Sequence, residues 1–250
     1  VMDSPGVEYD ANKFLWLGSA VETQVAFAHR SLGAKTPEEL LGAGSEIVIG
    51  GLSPDNPKDM AMRTFFNLLG VRYKYVNGYP GNNDARAAML RGEINFFEES
   101  MTGWATGIVP LANEGTAYNM VQRGIARGGS IVRDPRLPDL PTYQEAVLSL
   151  KGEASRTTVE FRALELLVKL ASMQREVVYP PGVAPELVET MRKAVADSFA
   201  DEDFQATAEK QFGFRVESVT GAQAQEQIAD VIRRASEDRA ALEYLQTLAK

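Results

Sequence analysis

RYKYVNGYPGNNDARAAMLRGEINFFEES, residues 72–100, places two strand-like runs on either side of a helical one. RYKYVNGY (72–79) and EINFFEES (93–100) are rich in aromatic and β-branched residues and read as strands. Between them, Gly78-Tyr79-Pro80-Gly81 turns the chain, and a helix runs from about Asn83 to Arg91, with Ala88 and Met89 inside and Gly92 closing it.

The same alternation continues on both sides. EIVIGG (46–51) is a short apolar run stopped by two glycines, the pattern of a buried strand. Asn56-Pro57 then predicts a helix start, with proline at the first helical position and Asp59 in the first turn. Met60, Phe65, Phe66 and Leu69 supply its apolar face, and Gly70 ends it. Downstream, Trp104, Ile108 and Leu111 mark a helical segment, and TAYNMVQRG (116–124) a fourth strand. Repeated βα units predict an α/β fold with a parallel, doubly wound sheet.

Beyond it, Thr142 and Glu145 are spaced as a capping box, SRTTVEFRALELLVKLASM (155–173) is an amphipathic helix, and REVVYPPG (175–182) is a strand. Val188, Met191, Val195 and Phe199 recur at helical spacing as far as Asp201, and the tail is helical with Thr220 as its cap. Residues 46–124 thus form one α/β unit, residues 125–175 a connection, and residues 1–45 with 176–250 parts of a second unit. One unit inserted within another is a plan shared by hinged ligand-binding proteins.

Composition narrows the function classes. The 250 residues are 44% hydrophobic and 24% charged, with a net charge of −8. Acidic residues are dispersed and no basic stripe is present, which argues against nucleic acid as a partner. No apolar run approaches the ~20 residues that span a bilayer. The absence of cysteine excludes disulfides, thiolate metal sites and cysteine nucleophiles. The single histidine, His29, reads as an exposed or capping residue. No nucleophile–base pair and no metal-ligand cluster stands out, so neither an enzyme nor a metal or cofactor site is expected. The first 19 residues lack the basic start and apolar stretch of a secretory signal.

In open α/β sheets, ligands bind beyond the carboxyl ends of strands. Three such ends fall in the central unit: Gly50-Gly51-Leu52-Ser53, Gly78 to Asn83, and Glu98 to Thr102. The first two lead into helices, whose N-terminal amides and dipole favour anions. The same residues are also ordinary turn and cap chemistry, and neither glycine pair matches a nucleotide-binding fingerprint. Glu98 and Glu99 are adjacent on a strand and point to opposite faces, so they do not form a convergent carboxylate pair. One is expected in solvent and one at a polar spot near the sheet end. Trp16 and Trp104 are expected to pack rather than stack on a ligand.

Five stretches, in order, resemble the tripartite tricarboxylate transporter receptor family, the Bug-type periplasmic solute-binding proteins: FLWLGS (14–19), IVIGG (47–51), GYPGNNDARAAMLRGEIN (78–95), LPDLPTYQEA (137–146) and YPPGVAPELVETMRKAVADSFADEDFQATAEKQFGF (179–214). The resemblance implies a type II periplasmic-binding fold, in which two α/β lobes close by a hinge over a small organic anion that is delivered to membrane permease subunits. It implies a bacterial, periplasmic transport protein rather than an enzyme. The implied ligand contacts are Gly50, Gly51 and Ser53, then Tyr79, Gly81, Asn82 and Asn83, and then Ser100 and Thr102, with the charge met by helix N-termini rather than by Arg or Lys.

Two departures accompany it. EYDANKFLWLG (8–18) matches a region that in the family follows a first βαβα segment, so the first lobe is expected to be incomplete, the chain to self-associate or rearrange its terminal elements, and binding to be weak. FFEES (96–100) carries two glutamates where the family has an aspartate or small polar residues. Two other readings are a small-molecule α/β enzyme, such as a transferase or lyase, and a sensory binding subunit of a signalling system.

Overall fold

The computed structural model describes residues 8–250, apart from the side chain at position 174. The reading of the first seven residues lies outside these. A short 3-10 turn capped by Asp10 precedes β1 (Leu15–Val21). β2 (Gln24–His29) follows after only Glu22 and Thr23, and His29 caps the next 3-10 turn through its ring, which lies against Ser31.

β3 (Ile47–Gly50) leads to α1 (Pro57–Leu69), which is capped by Asn56 and closed by Gly70 in the left-handed conformation. β4 (Tyr73–Val76), α2 (Asn82–Leu90) and β5 (Phe96–Ser100) come next. The helical segment after β5 is broken into α3 (Met101–Gly103), a π-helical turn (Trp104–Ile108) and α4 (Val109–Asn113). β6 (Ala117–Gln122) and the hairpin of β7 (Ile125–Arg127) with β8 (Ser130–Val132) precede α5 (Tyr143–Lys151), where Thr142 and Glu145 form the expected capping box. α6 (Val159–Ala171), β9 (Met173–Tyr179), α7 (Pro185–Ala200), α8 (Glu202–Phe212), β10 (Glu217–Thr220), α9 (Gly221–Glu237) and α10 (Arg239–Leu248) complete the chain.

The strands form two main sheets. One has three strands in the order β10-β1-β9, all antiparallel, and the other has five in the order β4-β3-β5-β2-β6. In the larger sheet β3 is parallel to β4 and to β5, but β2 is antiparallel to both β5 and β6. The sheet is therefore mixed, not wholly parallel. The chain changes sheets at Glu22–Thr23, well before the boundary near residue 45 read from the sequence. β2 is the reason, because it feeds straight from β1 into the middle of the other sheet. The C-terminal end departs from the sequence reading as well. α10 packs on the larger unit, where Arg63 of α1 donates to the Leu248 carbonyl at 2.8 Å and Asn67 donates to the Tyr244 hydroxyl at 2.8 Å.

The main core lies between the five-stranded sheet and α1, α5, α6 and α10. Phe27, Phe65, Phe66, Phe96 and Phe97 are fully buried in it, and Phe66 meets Phe96 edge-on with ring centroids 4.7 Å apart. Complete burial of such a ring contributes about 2–3 kcal/mol. A second, smaller core gathers Trp16, Met173, Ala224 and Ile228 under the three-stranded sheet. There α9 starts so close to β1 that a Cβ at Gly221 would strike the Trp16 carbonyl. Both tryptophans serve packing: Trp16 in this core, and Trp104 with its indole N–H donating to Asn119 at 2.8 Å.

Candidate functional site

The carboxyl ends of β3, β4 and β5 lie side by side at one edge of the larger sheet, and α1, α2 and α3 start there. The loops after β3 and β4 are laced together by backbone. The Gly51 amide donates to the Val76 carbonyl at 2.8 Å, the Gly78 amide to the Leu52 carbonyl at 3.1 Å, and the Tyr79 amide to the Gly51 carbonyl at 3.4 Å.

The mouth of α1 is occupied by the chain itself. One oxygen of Asp59, Oδ2, accepts from the Leu52 amide at 2.6 Å, the Ser53 amide at 3.0 Å and the Tyr75 hydroxyl at 2.9 Å. The other, Oδ1, is buried with no hydrogen-bond partner among the described residues. Burial raises the Asp59 pKa, and the Lys58 charge, followed by these donors, opposes the rise. Gly51 is glycine for internal reasons, since a Cβ there would strike Asp59 and Tyr75, and one at Gly50 would strike Ile94. The Ser53 hydroxyl is bonded to Asp55 at 2.6 Å. Of the expected contacts, Gly50, Gly51 and Ser53 therefore have structural roles.

The mouth of α2 is different. Its cap residue is Gly81, in extended backbone with no side chain to cap the helix. Among the described residues no acceptor sits on the amides of Asn82, Asn83 and Asp84, while Ala85 bonds to the Gly81 carbonyl at 3.2 Å in the ordinary helical way. A Cβ at Gly78 would meet nothing within 4 Å, and this residue turns the chain at φ +96°. Asn82 is half-buried and Asn83 exposed. The phenol of Tyr79 neighbours Glu93 and Arg91, beyond the opposite end of the helix.

Ser100 and Thr102 stand at the third strand end, with hydroxyls 3.1 Å apart, and Ser100 also caps α3 through the Gly103 amide at 3.4 Å. The carboxyl of Glu22, at the crossing between the sheets, lies at the Thr102 backbone N–H. Burial raises the Glu22 pKa, against the pull of Arg175, that amide and Arg136.

Neither glutamate of FFEES is in solvent. Glu98 and Glu99 are fully buried, on opposite faces as strand alternation requires. Arg123 grips Glu98 with two bonds of 3.0 Å, and Arg86 of α2 grips Glu99 with bonds of 2.9 and 2.8 Å. Burial raises both glutamate pKa values despite these partners. The expected extra negative charge is thus neutralised by arginines contributed from other elements.

The sequence reading also missed Lys58, in the first turn of α1. Its Nζ donates to Asn82 Oδ1 at 2.8 Å and lies 4.0 Å from the Phe97 ring centroid. The side chain is buried, and burial lowers its pKa from 10.5 to about 8. Nothing in the local sequence marks it, because its partners come from α2 and β5.

Clefts elsewhere are lined by ion pairs. Cavities of about 450 and 600 Å³ lie along α6 and α9. Most of their charged groups are paired, among them Lys169 with Glu165 at 2.7 Å, Arg162 with Asp238 at 2.5 Å, and Arg234 with Asp230 at 2.7 Å. Among the described residues no group of three or more His, Asp or Glu is arranged to hold a metal ion.

No family model matches the chain, and no curated protein matches it. Solved structures do. The periplasmic binding protein BugD superposes with a TM-score of 0.63 at 16% identity, over 96% of this chain and 71% of that one. A protein from R. palustris solved with adipate gives 0.65 at 15% identity, over 96% and 72%. MatC from Rhodopseudomonas palustris, solved with bound malate, gives 0.58 at 16% identity, over 100% and 74%. At these identities the likeness establishes the fold, which is that of type II periplasmic binding proteins.

Proposed function

We propose that this chain, built on the fold of the Bug-type periplasmic receptors, is a non-enzymatic solute-binding receptor for a small organic anion. The observation that carries this is the uncapped mouth of α2, where the amides of Asn82 to Asp84 open at the carboxyl edge of the sheet with no acceptor among the described residues. Such a helix start offers donors and about half a positive charge, which suits a carboxylate. Asn82, Asn83 and Gly81 form one wall, and Ser100 and Thr102 supply hydroxyls at the next strand end. The crossings between the units, at Glu22–Thr23, before β9 and between α9 and α10, are where they would hinge on ligand closure.

Malate and adipate, bound by two proteins of this fold, define the ligand class to try first. A periplasmic location and delivery to a tripartite tricarboxylate-type permease belong to the same proposal. Thermal-shift screening against di- and tricarboxylates and aromatic acids tests it. Concentration-dependent stabilisation by at least one acid is expected, and indifference to all of them contradicts the receptor reading.

A further inference from the structure

We propose that Lys58 is the counter-charge of the anion site, and that its ammonium receives a carboxylate of the bound acid beside the first-turn amides of α2. This rests on the receptor reading above and names the residue that sets its charge selectivity. Lys58 stands where three strand exits meet. Its backbone is in the first turn of α1, its Nζ reaches Asn82 in the first turn of α2, and it lies over Phe97 of β5.

Asp59, then Glu98 and Glu99, attract the cation through space, but none of them contacts it. Lys58 is 6% exposed, and no carboxylate of the described residues forms an ion pair with it. The carboxylates around it are bonded elsewhere, apart from Asp59 Oδ1. On β5, Glu98 is held by Arg123 and Glu99 by Arg86, and on α1 Asp59 is turned to the amides of Leu52 and Ser53.

A lysine in the first turn of a helix also opposes the helix dipole, and here the start of a second helix adds charge of the same sign. A buried cation in that position costs stability unless it is paired. An ammonium has three donors, of which Asn82 accepts one. A purely structural demand at this spot would be met better by an apolar chain of similar length, such as methionine. An incoming carboxylate resolves all of these costs at once.

The test uses the wild-type chain, Lys58→Met and Lys58→Arg, with succinate and adipate as probes in calorimetry at pH 7 and pH 9.5. Wild-type affinity is expected to fall with rising pH above about 8, by up to about tenfold per pH unit. Lys58→Met is expected to bind at least about tenfold more weakly, without that pH dependence. Lys58→Arg is expected to keep binding and lose the pH dependence. If Lys58→Met is folded and matches the wild type in affinity and pH slope, the assignment is overturned while the receptor reading survives. If the wild type binds neither these probes nor any other acid, both fall.

A second readout needs no variant. In lysine side-chain NMR the titration midpoint of Lys58 is expected to rise by at least about one pH unit at saturating succinate or adipate. An unmoved midpoint in protein that binds the acid overturns the assignment.

Discussion

Asp59 Oδ2 lies 3.0 Å from the Ser53 amide, so the helix mouth after β3 holds a carboxylate that belongs to the chain. The same oxygen serves the Leu52 amide and the Tyr75 hydroxyl, and it makes this corner rigid rather than receptive. Asp59→Ala leaves three donors without their acceptor and is expected to cost about 2–4 kcal/mol in urea unfolding. Asp59→Asn keeps one acceptor oxygen in place and is expected to cost less. Equal losses for the two variants would show that shape, and not acceptance, holds the loop.

Phe66 tests the core. It is fully buried on α1 and meets Phe65, Tyr73 and Phe96. Phe66→Ala is expected to destabilise by about 3–5 kcal/mol, seen as a lower denaturation midpoint with an unchanged slope. A loss below about 1 kcal/mol would contradict the packing described.

The Arg123–Glu98 pair makes a pH-dependent prediction. Arg123→Met strands Glu98 in the core and is expected to cost about 3–5 kcal/mol near neutral pH. The Glu98 pKa is already raised above 4.5 by burial, and losing the guanidinium raises it further. The charged form is what the folded state penalises, so the penalty is full above the folded pKa and fades as pH falls through it towards 4.5. The stability gap between variant and wild type should narrow on going from pH 8 to pH 5. A gap that widens towards acid would contradict the buried, arginine-held placement of Glu98.

Lys58 shapes stability in the alkaline range. Its folded pKa of about 8 lies below the ordinary 10.5, so below about pH 8 both folded and unfolded states are charged and the burial penalty is complete. Between about 8 and 10.5 the folded state sheds the proton first, and stability should rise relative to Lys58→Met, which has nothing to titrate. Asp59, Glu98, Glu99 and Arg123 surround this position in both proteins, so the difference between their melting curves isolates Lys58. A constant difference across that window would place the amine in solvent.

Elements with local punctuation were legible from the residues. Asn56-Pro57 and Gly70 bracket α1, Thr142 and Glu145 start α5, and Thr220 caps α9. β2 escaped because QVAFAH is buried on both faces in its middle, so it shows no alternation, and its partners are distant in sequence. The break between α9 and α10 depends on Asp238, which caps the Ala241 amide and pairs with Arg162 of α6. At the candidate site the α2 mouth could be read from Gly81-Asn82-Asn83. The occupation of the α1 mouth by Asp59, the arginines on Glu98 and Glu99, and the position of Lys58 are tertiary facts. No residue spacing announces them.

The central claim is that an organic acid docks on the open mouth of α2. Amide-resolved NMR of the labelled chain, titrated with malate and with adipate, measures this most directly. Saturable shifts of the Asn82, Asn83 and Asp84 amides, with Leu52 and Ser53 largely unmoved, are the expected result. Saturable shifts confined to other residues, or none at any acid concentration, would contradict it.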